Sequence, residues 1–294
     1  MAATTTPRAG ARTGPARRAP RIRVTPGSAV LYAVAAACAL LWLAPLLWAV
    51  ATSVKPEAET TAVPVRWLTD NPTTQAYASV LARGDLLRWM ANSAIISVLV
   101  TALTLVLCVL AAYGFAKCRF PGRGWLFAVV VAGILVPPQV LIVPLFAQMG
   151  LMGLVDTYWG IALPQVVAPV MVFVLKRFFD GIPAAYEDAA RMDGAGPLRV
   201  LWSVVLPMSR PVLAAVGIFT FVGAWNNFLW PFVATTDPAM MTLPVGLGTV
   251  QGAYGLQYAQ TMAAAVISAL PLLVVFLFFQ RQIVSGIAGV GIKG

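Results

Sequence analysis

The chain has 294 residues, of which 60% are hydrophobic and 10% are charged, and its mean hydropathy is +0.84. Soluble domains carry about 25% charged residues, so this composition excludes an ordinary soluble protein and indicates an integral membrane protein. The sequence has no histidine, which excludes histidine catalysis and histidine metal ligands within this chain. The net charge of +10 is common among nucleic-acid-binding proteins, but its distribution along the chain indicates membrane topology instead.

The three cysteines, Cys38, Cys108 and Cys118, are scattered and lack the spacing of metal ligands. Two of them lie in apolar stretches and the third lies near a basic turn. We therefore expect buried, small apolar side chains rather than disulfides. We expect neither a metal site nor a bound cofactor in this chain.

The N-terminal region combines a basic segment with an apolar one. Residues 1–27 contain six arginines and no acidic residue, so we predict a disordered basic tail. Residues 28–51 carry no charge and are long enough to cross about 30 Å of hydrocarbon as a helix. Because this run exceeds the roughly 7–15 apolar residues of a signal peptide, we predict a retained first span.

Five further apolar stretches predict membrane spans at about residues 89–115, 125–149, 158–175, 212–233 and 261–279. The predicted fold is an all-α integral membrane protein with a six-helix transmembrane domain, residues 28–282, and a C-terminal tail, residues 283–294. Residues 52–88 and 234–260 are predicted external segments. Three prolines inside the third span, Pro137, Pro138 and Pro144, predict kinks or breaks there, and the fourth span contains Pro164 and Pro169.

Lysine and arginine are distributed unevenly between the two sides of this topology. Six lie in the N-terminal tail, three in the turn at residues 116–124, five in residues 176–211 and two after the last span. The remaining four lie on the opposite side, at Lys55, Arg66, Arg83 and Arg88. Because cytoplasmic segments are enriched in Lys and Arg, we predict that both termini are cytoplasmic. The net charge then reflects topology and does not predict nucleic-acid binding.

Residues 181–211, named here the polar hairpin, form a long charge-bearing segment between two predicted spans. Pro183 can begin a first helix, because its missing N–H costs nothing in the first turn. Gly194 then provides the backbone freedom that a tight bend requires. Pro197 can begin a second helix, which we expect to end before Pro207.

The fifth span contains the most polar cluster within any predicted span, at Asn226 and Asn227. Amides in lipid are unfavourable without partners, so we expect them to line a translocation path or to bond to other helices. None of the six spans contains Asp, Glu, Lys or Arg, so no intramembrane proton relay is predicted. The chain also lacks a GxxxxGK[ST] phosphate loop, so the energy for transport must come from a partner.

The run from Glu187 to Ala195, followed by Leu206-Pro207, resembles the EAA loop of ABC-importer permeases. In that family the loop is a coupling helix that docks into a cleft of the cytoplasmic ATPase. The usual first Glu is Asp188 here and is preceded by Glu187, so the resemblance leaves open which carboxylate meets the ATPase. It implies an ATPase-coupling role for nine residues, namely Glu187, Asp188, Ala189, Ala190, Asp193, Gly194, Ala195, Leu206 and Pro207.

Further motifs resemble the carbohydrate-importer branch of the same family. They are Asn92-Ser93, Ala111–Ala116, Phe120–Arg123, Trp225–Pro231, Thr242–Leu247, Gln280-Arg281 and Gly291–Gly294. The resemblance implies a non-catalytic permease of the bacterial cell membrane that moves a sugar or oligosaccharide into the cytoplasm. It implies as partners two ATPase subunits, a second permease subunit and an external sugar-binding protein, with the C-terminal tail either reaching the ATPase or fraying.

Two alternatives stand beside this interpretation. The same architecture can import glycerol phosphoesters or another polar solute. A self-sufficient secondary transporter would work without an ATPase and would usually show an internal repeat or intramembrane charges, neither of which is visible in the sequence.

Overall fold

The computed structural model describes residues 26–82, 85–253 and 257–291, so nearly all of the predicted N-terminal tail lies outside the described residues. The described residues contain no β-strand. A first unit ends at Pro45 and holds the uncharged start of the first helix, whereas the second unit begins at Leu46. The α-helices in chain order are α1 (Pro26–Ser53), α2 (Gln75–Ala82), α3 (Asp85–Lys117), α4 (Arg123–Ala132), α5 (Ile142–Leu151), α6 (Tyr158–Ala162), α7 (Pro169–Asp180), α8 (Ala184–Met192), α9 (Pro197–Val200), α10 (Leu206–Met208), α11 (Arg210–Trp225), α12 (Leu229–Ala234), α13 (Leu243–Ala253) and α14 (Tyr258–Gly291).

Three of these helices, α1, α3 and α14, are long and apolar enough to cross a membrane. Three further helix pairs pass the same test together but bend at a short break. Their bends are 92° for Arg123–Leu135 with Pro138–Leu151, 52° for Tyr158–Gln165 with Pro169–Asp180, and 82° for Pro197–Met208 with Arg210–Trp225. The described residues therefore hold three candidate spans, or up to six if each bent pair is one span. The all-α membrane fold is confirmed.

Prolines explain the first two breaks. Val136 and Pro137 are extended, with ψ of 112° and 127°, and Pro138 begins the next helical turn. Neither proline has an N–H to donate to the preceding turn, so the helix stops there. The second break likewise precedes Pro169, the first residue of α7. Pro144 does not kink its helix, because it lies in the first turn of α5.

Two predicted boundaries differ from the structure. The predicted span at residues 212–233 is interrupted, since α11 ends at Trp225 and α12 begins only at Leu229. The predicted tail is also helical over residues 283–291, because α14 runs on to Gly291 and no proline follows Pro271 to remove a backbone donor.

The helix α3 lies at the centre of the second unit and packs against α7, α11 and α13. Helix α13 lies in a segment predicted as an external loop, yet Leu243 at its start is buried beside Trp89 of α3. At its C-terminal half, α3 shares an apolar cluster with α7 and the polar hairpin. Members of this cluster are Ala112, Phe115, Leu175, Phe179 and Leu201.

Candidate functional site

The polar hairpin consists of two helical segments joined by a tight turn. The first segment, α8, follows Pro183, and Gly194 ends it with φ of 79°, which glycine adopts without a steric penalty. The amide of Ala195 donates to the carbonyl of Ala190 at 2.9 Å and closes the turn. The second segment begins at Pro197, as predicted.

The second segment does not end before Pro207, which corrects the prediction. It continues from α9 through a π-helical turn at Leu201–Val205 into α10, which ends at Met208. The wider π turn accommodates a proline, which lacks an N–H and crowds the preceding turn. Leu206 is half-buried there, while Pro207 is exposed.

The two adjacent carboxylates of α8 face different surroundings. The side chain of Glu187 is 4% exposed, and its Oε1 lies 2.5 Å from Nζ of Lys117 on α3. The side chain of Asp188 is 64% exposed, and its Oδ1 lies 3.3 Å from Arg191. Arg191 also approaches Oε2 of Glu187 at 3.4 Å. Asp188 is therefore the carboxylate on the outer surface of α8, whereas Glu187 holds α8 to α3.

The other predicted coupling residues in α8 and its turn also divide into buried and exposed positions. Ala190 and Ala195 are half-buried and pack against the apolar cluster. Met192, at the end of α8, is 88% exposed. The exposed members of the predicted set are Ala189, Asp193 and Gly194. The outer surface of α8 and its turn thus exposes Asp188 together with Arg191, Met192 and Asp193.

At the N-terminal end of α3, three side chains hold the segment at residues 237–243. Nδ2 of Asn92 donates to two carbonyls of this segment, each at 2.9 Å, and its Oδ1 accepts from the Tyr158 hydroxyl at 2.8 Å. The indole of Trp89 donates to a third carbonyl at 2.9 Å. Oγ of Ser93 accepts from the last amide of the segment at 2.8 Å. The segment is thereby fixed to α3.

A cavity of about 410 Å³ opens where the bent helices break. Its wall runs from Pro138 past Pro164 to α11 and α12. Among the described residues that line it, none is charged. The lining side chains that can form hydrogen bonds through an amide or a hydroxyl are Gln139, Gln165, Thr220 and Asn227. Discontinuous helices commonly form the solute sites of transporters, because their free backbone groups face a cavity there instead of lipid.

The two asparagines of the predicted fifth span have different environments. Nδ2 of Asn227 donates to Oε1 of Gln165 at 2.7 Å, and Asn227 also lines the cavity. Nδ2 of Asn226 donates instead to the carbonyl of Val222 at 2.9 Å, within its own helix. Asn227 therefore lines the cavity and bonds to a distant segment of the chain, while Asn226 lies outside the cavity wall.

Asp156 fixes the turn that leads into the 237–243 segment. It has φ of 58°, and its Oδ1 accepts the amides of Thr236 and Asp237 at 2.6 and 2.9 Å. Its Oδ2 accepts the Thr236 hydroxyl at 2.5 Å. Burial raises the pKa of this carboxyl, but the three hydrogen bonds together lower it by more, so the pKa lies below its usual value.

Comparison with known proteins identifies the family. Residues 105–289 match the model of the binding-protein-dependent transport system inner membrane component. The chain belongs to this family. The permease is therefore a multi-pass membrane protein, and its relatives are transport permeases.

Two relatives and one solved structure illustrate the similarity. The permease is 37% identical over 206 residues to the arabinooligosaccharides transport system permease protein AraQ of Halalkalibacterium halodurans, covering 70% of this chain and 74% of the relative. It is 35% identical over 254 residues to the sulfoquinovosyl glycerol transport system permease protein SmoH of Agrobacterium fabrum, covering 86% and 89%. A crystal structure of a bacterial ABC transporter involved in import of the acidic polysaccharide alginate has a TM-score of 0.79 and 24% identity, covering 89% of this chain and 99% of that one. This last likeness shows the fold.

Three side chains of the permease that make these contacts were not selected from the sequence. Lys117 had been counted as part of a basic turn, although it is the first charge after the apolar stretch of α3. Gln165 and Asp156 carry no motif, since their partners lie 62 and 80 residues away in the chain. Within the described ranges, no group of three or more Cys, Asp or Glu residues is placed to hold a metal ion.

Proposed function

We propose that this permease moves a neutral sugar or oligosaccharide into the cytoplasm as one membrane subunit of an ATP-driven importer. The observation that carries the proposal is the cavity at the helix breaks, whose described lining offers amides and a hydroxyl but no charge. Amides bind sugar hydroxyls, and apolar walls cover the faces of sugar rings. An anionic solute would lack a counter-charge at this wall. The arabinooligosaccharide permease among the relatives supports a sugar as the solute.

In this proposal α8 is the coupling helix, and Asp188 is the carboxylate that meets the ATPase. Its exposure supports this role, whereas Glu187 is buried against Lys117. Ala189 is small and exposed, so a partner surface can approach the helix closely. The remaining predicted coupling residues shape the hairpin through its apolar contacts, its turn and its second segment, namely Ala190, Asp193, Gly194, Ala195, Leu206 and Pro207.

The proposed complex contains two ATPase subunits, a second permease subunit and an external sugar-binding protein. The family's dependence on a binding protein supports the last of these partners. The lack of a phosphate loop in this sequence supports a separate ATPase chain, with no catalytic role for the permease itself.

We place the permease in a bacterial cell membrane with six spans, and with both termini and the polar hairpin in the cytoplasm. The distribution of Lys and Arg supports this orientation, since sixteen of the twenty fall on the side of the hairpin. In this orientation the C-terminal end of α3 is cytoplasmic, and the 237–243 segment lies outside.

Affinity purification of the tagged chain in mild detergent, followed by reconstitution in liposomes, tests the proposed function. We expect an ATPase, a second permease and a binding protein to copurify, and ATP-dependent uptake of a neutral sugar. Recovery of the chain alone, with solute flux in the absence of ATP, would contradict the proposal and favour a secondary transporter.

Asp188 is tested within the same complex. We expect Asp188→Arg to reduce ATP-dependent uptake at least tenfold, because it reverses the charge that the ATPase meets. A matched control is Asp70→Arg, since Asp70 is also an exposed carboxylate paired with an arginine, but it lies in the predicted external segment. Equal uptake by the Asp188 variant and the control would contradict the docking role.

The second candidate is import of an anionic solute such as a glycerol phosphoester. The relative named for sulfoquinovosyl glycerol favours it, as does the likeness to an importer of an acidic polysaccharide. Competition decides between the two candidates. Inhibition of uptake by neutral oligosaccharides and not by anionic sugars or glycerol phosphoesters supports the neutral solute, and the reverse pattern supports the anionic one.

A further inference from the structure

The C-terminal end of α3 touches the polar hairpin at three places. Nζ of Lys117 lies 2.5 Å from Oε1 of Glu187 and donates to the carbonyl of Ile182 at 3.0 Å. The hydroxyl of Tyr113 donates to the carbonyl of Pro197 at 2.8 Å. These contacts reach the chain just before α8, the middle of α8 and the start of α9, so both segments of the hairpin are attached to one helix.

The ion pair at the centre of this attachment is enclosed by protein. The side chains of Lys117 and Glu187 are 10% and 4% exposed, respectively. A charge in such surroundings is stable only while its partner stays close, so the pair resists any separation of α8 from α3. The second cation near Glu187 is Arg191, which lies on α8 itself and moves with it.

The opposite end of α3 is attached just as firmly to the 237–243 segment, through Trp89, Asn92 and Ser93. Asn92 and Lys117 are about 37 Å apart along the helix, at about 1.5 Å per residue. Helix α3 runs over 33 residues without a proline, whereas three other candidate spans bend by 52° or more. One unbroken helix therefore joins the hairpin to a segment on the far side.

We propose that Lys117 and Glu187 form the joint through which movement of α8 becomes movement of α3 and of the 237–243 segment. This inference rests on the proposed coupling function. Asp188 meets the ATPase, and the buried pair behind it makes the docked helix and α3 one rigid body. Lys117 and Glu187 are positioning residues, since neither one touches the solute or the nucleotide.

The reconstituted complex tests the joint through uptake per ATP hydrolysed. We expect Glu187→Gln and Lys117→Met to lower this ratio at least tenfold, because α8 then moves without carrying α3. Lys117→Arg keeps the charge and should stay within threefold of the unmodified complex. Lys176→Met is the matched control, since Lys176 pairs with Asp180 inside one helix, at 2.7 Å, and its contact outside that helix is with Phe127 of α4, which belongs neither to α3 nor to the hairpin. It should leave the ratio unchanged.

Each alternative gives a different result. A merely structural role would lower uptake and ATP hydrolysis in parallel and leave their ratio intact, which would overturn the inference. A Glu187→Gln ratio equal to that of the unmodified complex would also overturn it. Failure of the proposed function itself is distinguishable, because the unmodified complex would then show no ATP-dependent uptake.

A distance measurement keeps the inference testable if a variant assembles poorly. Spin labels at Met192 on α8 and Leu107 on α3 would occupy exposed positions, after replacement of the three native cysteines. In the chain with an intact ion pair, we expect one narrow distribution of label distances that is the same with and without ATP. In Glu187→Gln we expect the distance distribution to change with the nucleotide. A nucleotide-dependent distance in the unmodified joint would overturn the inference.

Discussion

The two ends of α3 are held by different chemistry. At the C-terminal end a buried ion pair, Lys117 with Glu187, supplies the central contact. At the N-terminal end, neutral indole, amide and hydroxyl groups share the task among several main-chain partners. An ion pair concentrates the attachment in one contact, so a single substitution removes one charge and leaves the other buried without that partner. A set of neutral hydrogen bonds distributes it, so each loss is smaller.

The largest expected effect comes from breaking the ion pair on one side. Lys117→Met leaves the buried Glu187 carboxylate without its buried cation and with only the half-exposed Arg191 at 3.4 Å, and we expect a loss of about 3 kcal/mol of stability. The double variant Lys117→Met with Glu187→Met should regain most of this, because two apolar side chains then fill the same space. Thermal unfolding of the full chain in detergent measures both. If the double variant is no more stable than Lys117→Met, the unpaired charge of Glu187 is not the cause of the loss, and the two ends of α3 do not differ in the way described.

A smaller effect is expected at the neutral end. Asn92→Leu leaves two carbonyls of the 237–243 segment and the Tyr158 hydroxyl without a partner, and we expect a loss of roughly 2–3 kcal/mol. Asn226→Leu is the matched control, since this amide is exposed and bonds within its own helix. It should change stability by less than about 0.5 kcal/mol. Similar losses in both variants would show that the contacts of Asn92 contribute nothing specific.

Packing at the same end gives the next prediction. A Cβ added at Gly246 would overlap the indole of Trp89, which is itself buried and bonded to Pro238. Gly246→Ala should therefore cost about 1–3 kcal/mol through overpacking. Gly223→Ala is the control, because a Cβ there meets nothing within 4 Å. Unfolding midpoints of the two variants measure the difference, and equal midpoints would mean that Trp89 moves aside freely.

Features of the fold that depend on one segment of the chain were predictable from the sequence, whereas contacts between distant segments were not. The membrane class and the prolines at the breaks follow from local properties, because apolar length and missing N–H groups act within one segment. The turn at Gly194 was predictable for the same reason, since it depends on the backbone of one residue. The ion pair was not, because Lys117 and Glu187 are 70 residues apart and only the packing of α3 against the hairpin brings them together.

The candidate sites divide in a similar way. The position of the coupling segment was visible in the sequence, but which of its two acids faces outward depends on the rotation of α8, and tertiary contacts set that rotation. The break at Asn226 was missed because no proline marks it, and the bond between Asn227 and Gln165 was missed because the two residues are 62 apart in the chain. The end of the second helical segment was predicted too early, because a π turn, which has no sequence signature, lets the helix continue through Pro207.

The smallest expected effect concerns the carboxylate that lies beside the neutral end of α3. The hydrogen bonds from Thr236 and Asp237 lower the pKa of Asp156 below its unfolded value of about 3.9. The stability that it contributes is therefore present above about pH 4 and is lost as the pH falls through the lower, folded pKa. Asp156→Asn should lower the stability modestly at pH 7 and flatten the acid side of the stability curve, so that its difference from the unmodified chain shrinks as the pH falls, as unfolding of the full chain between pH 3 and pH 7 would measure. An unchanged acid profile would show that the 237–243 segment depends on neutral contacts, leaving the buried ion pair as the charged attachment of α3.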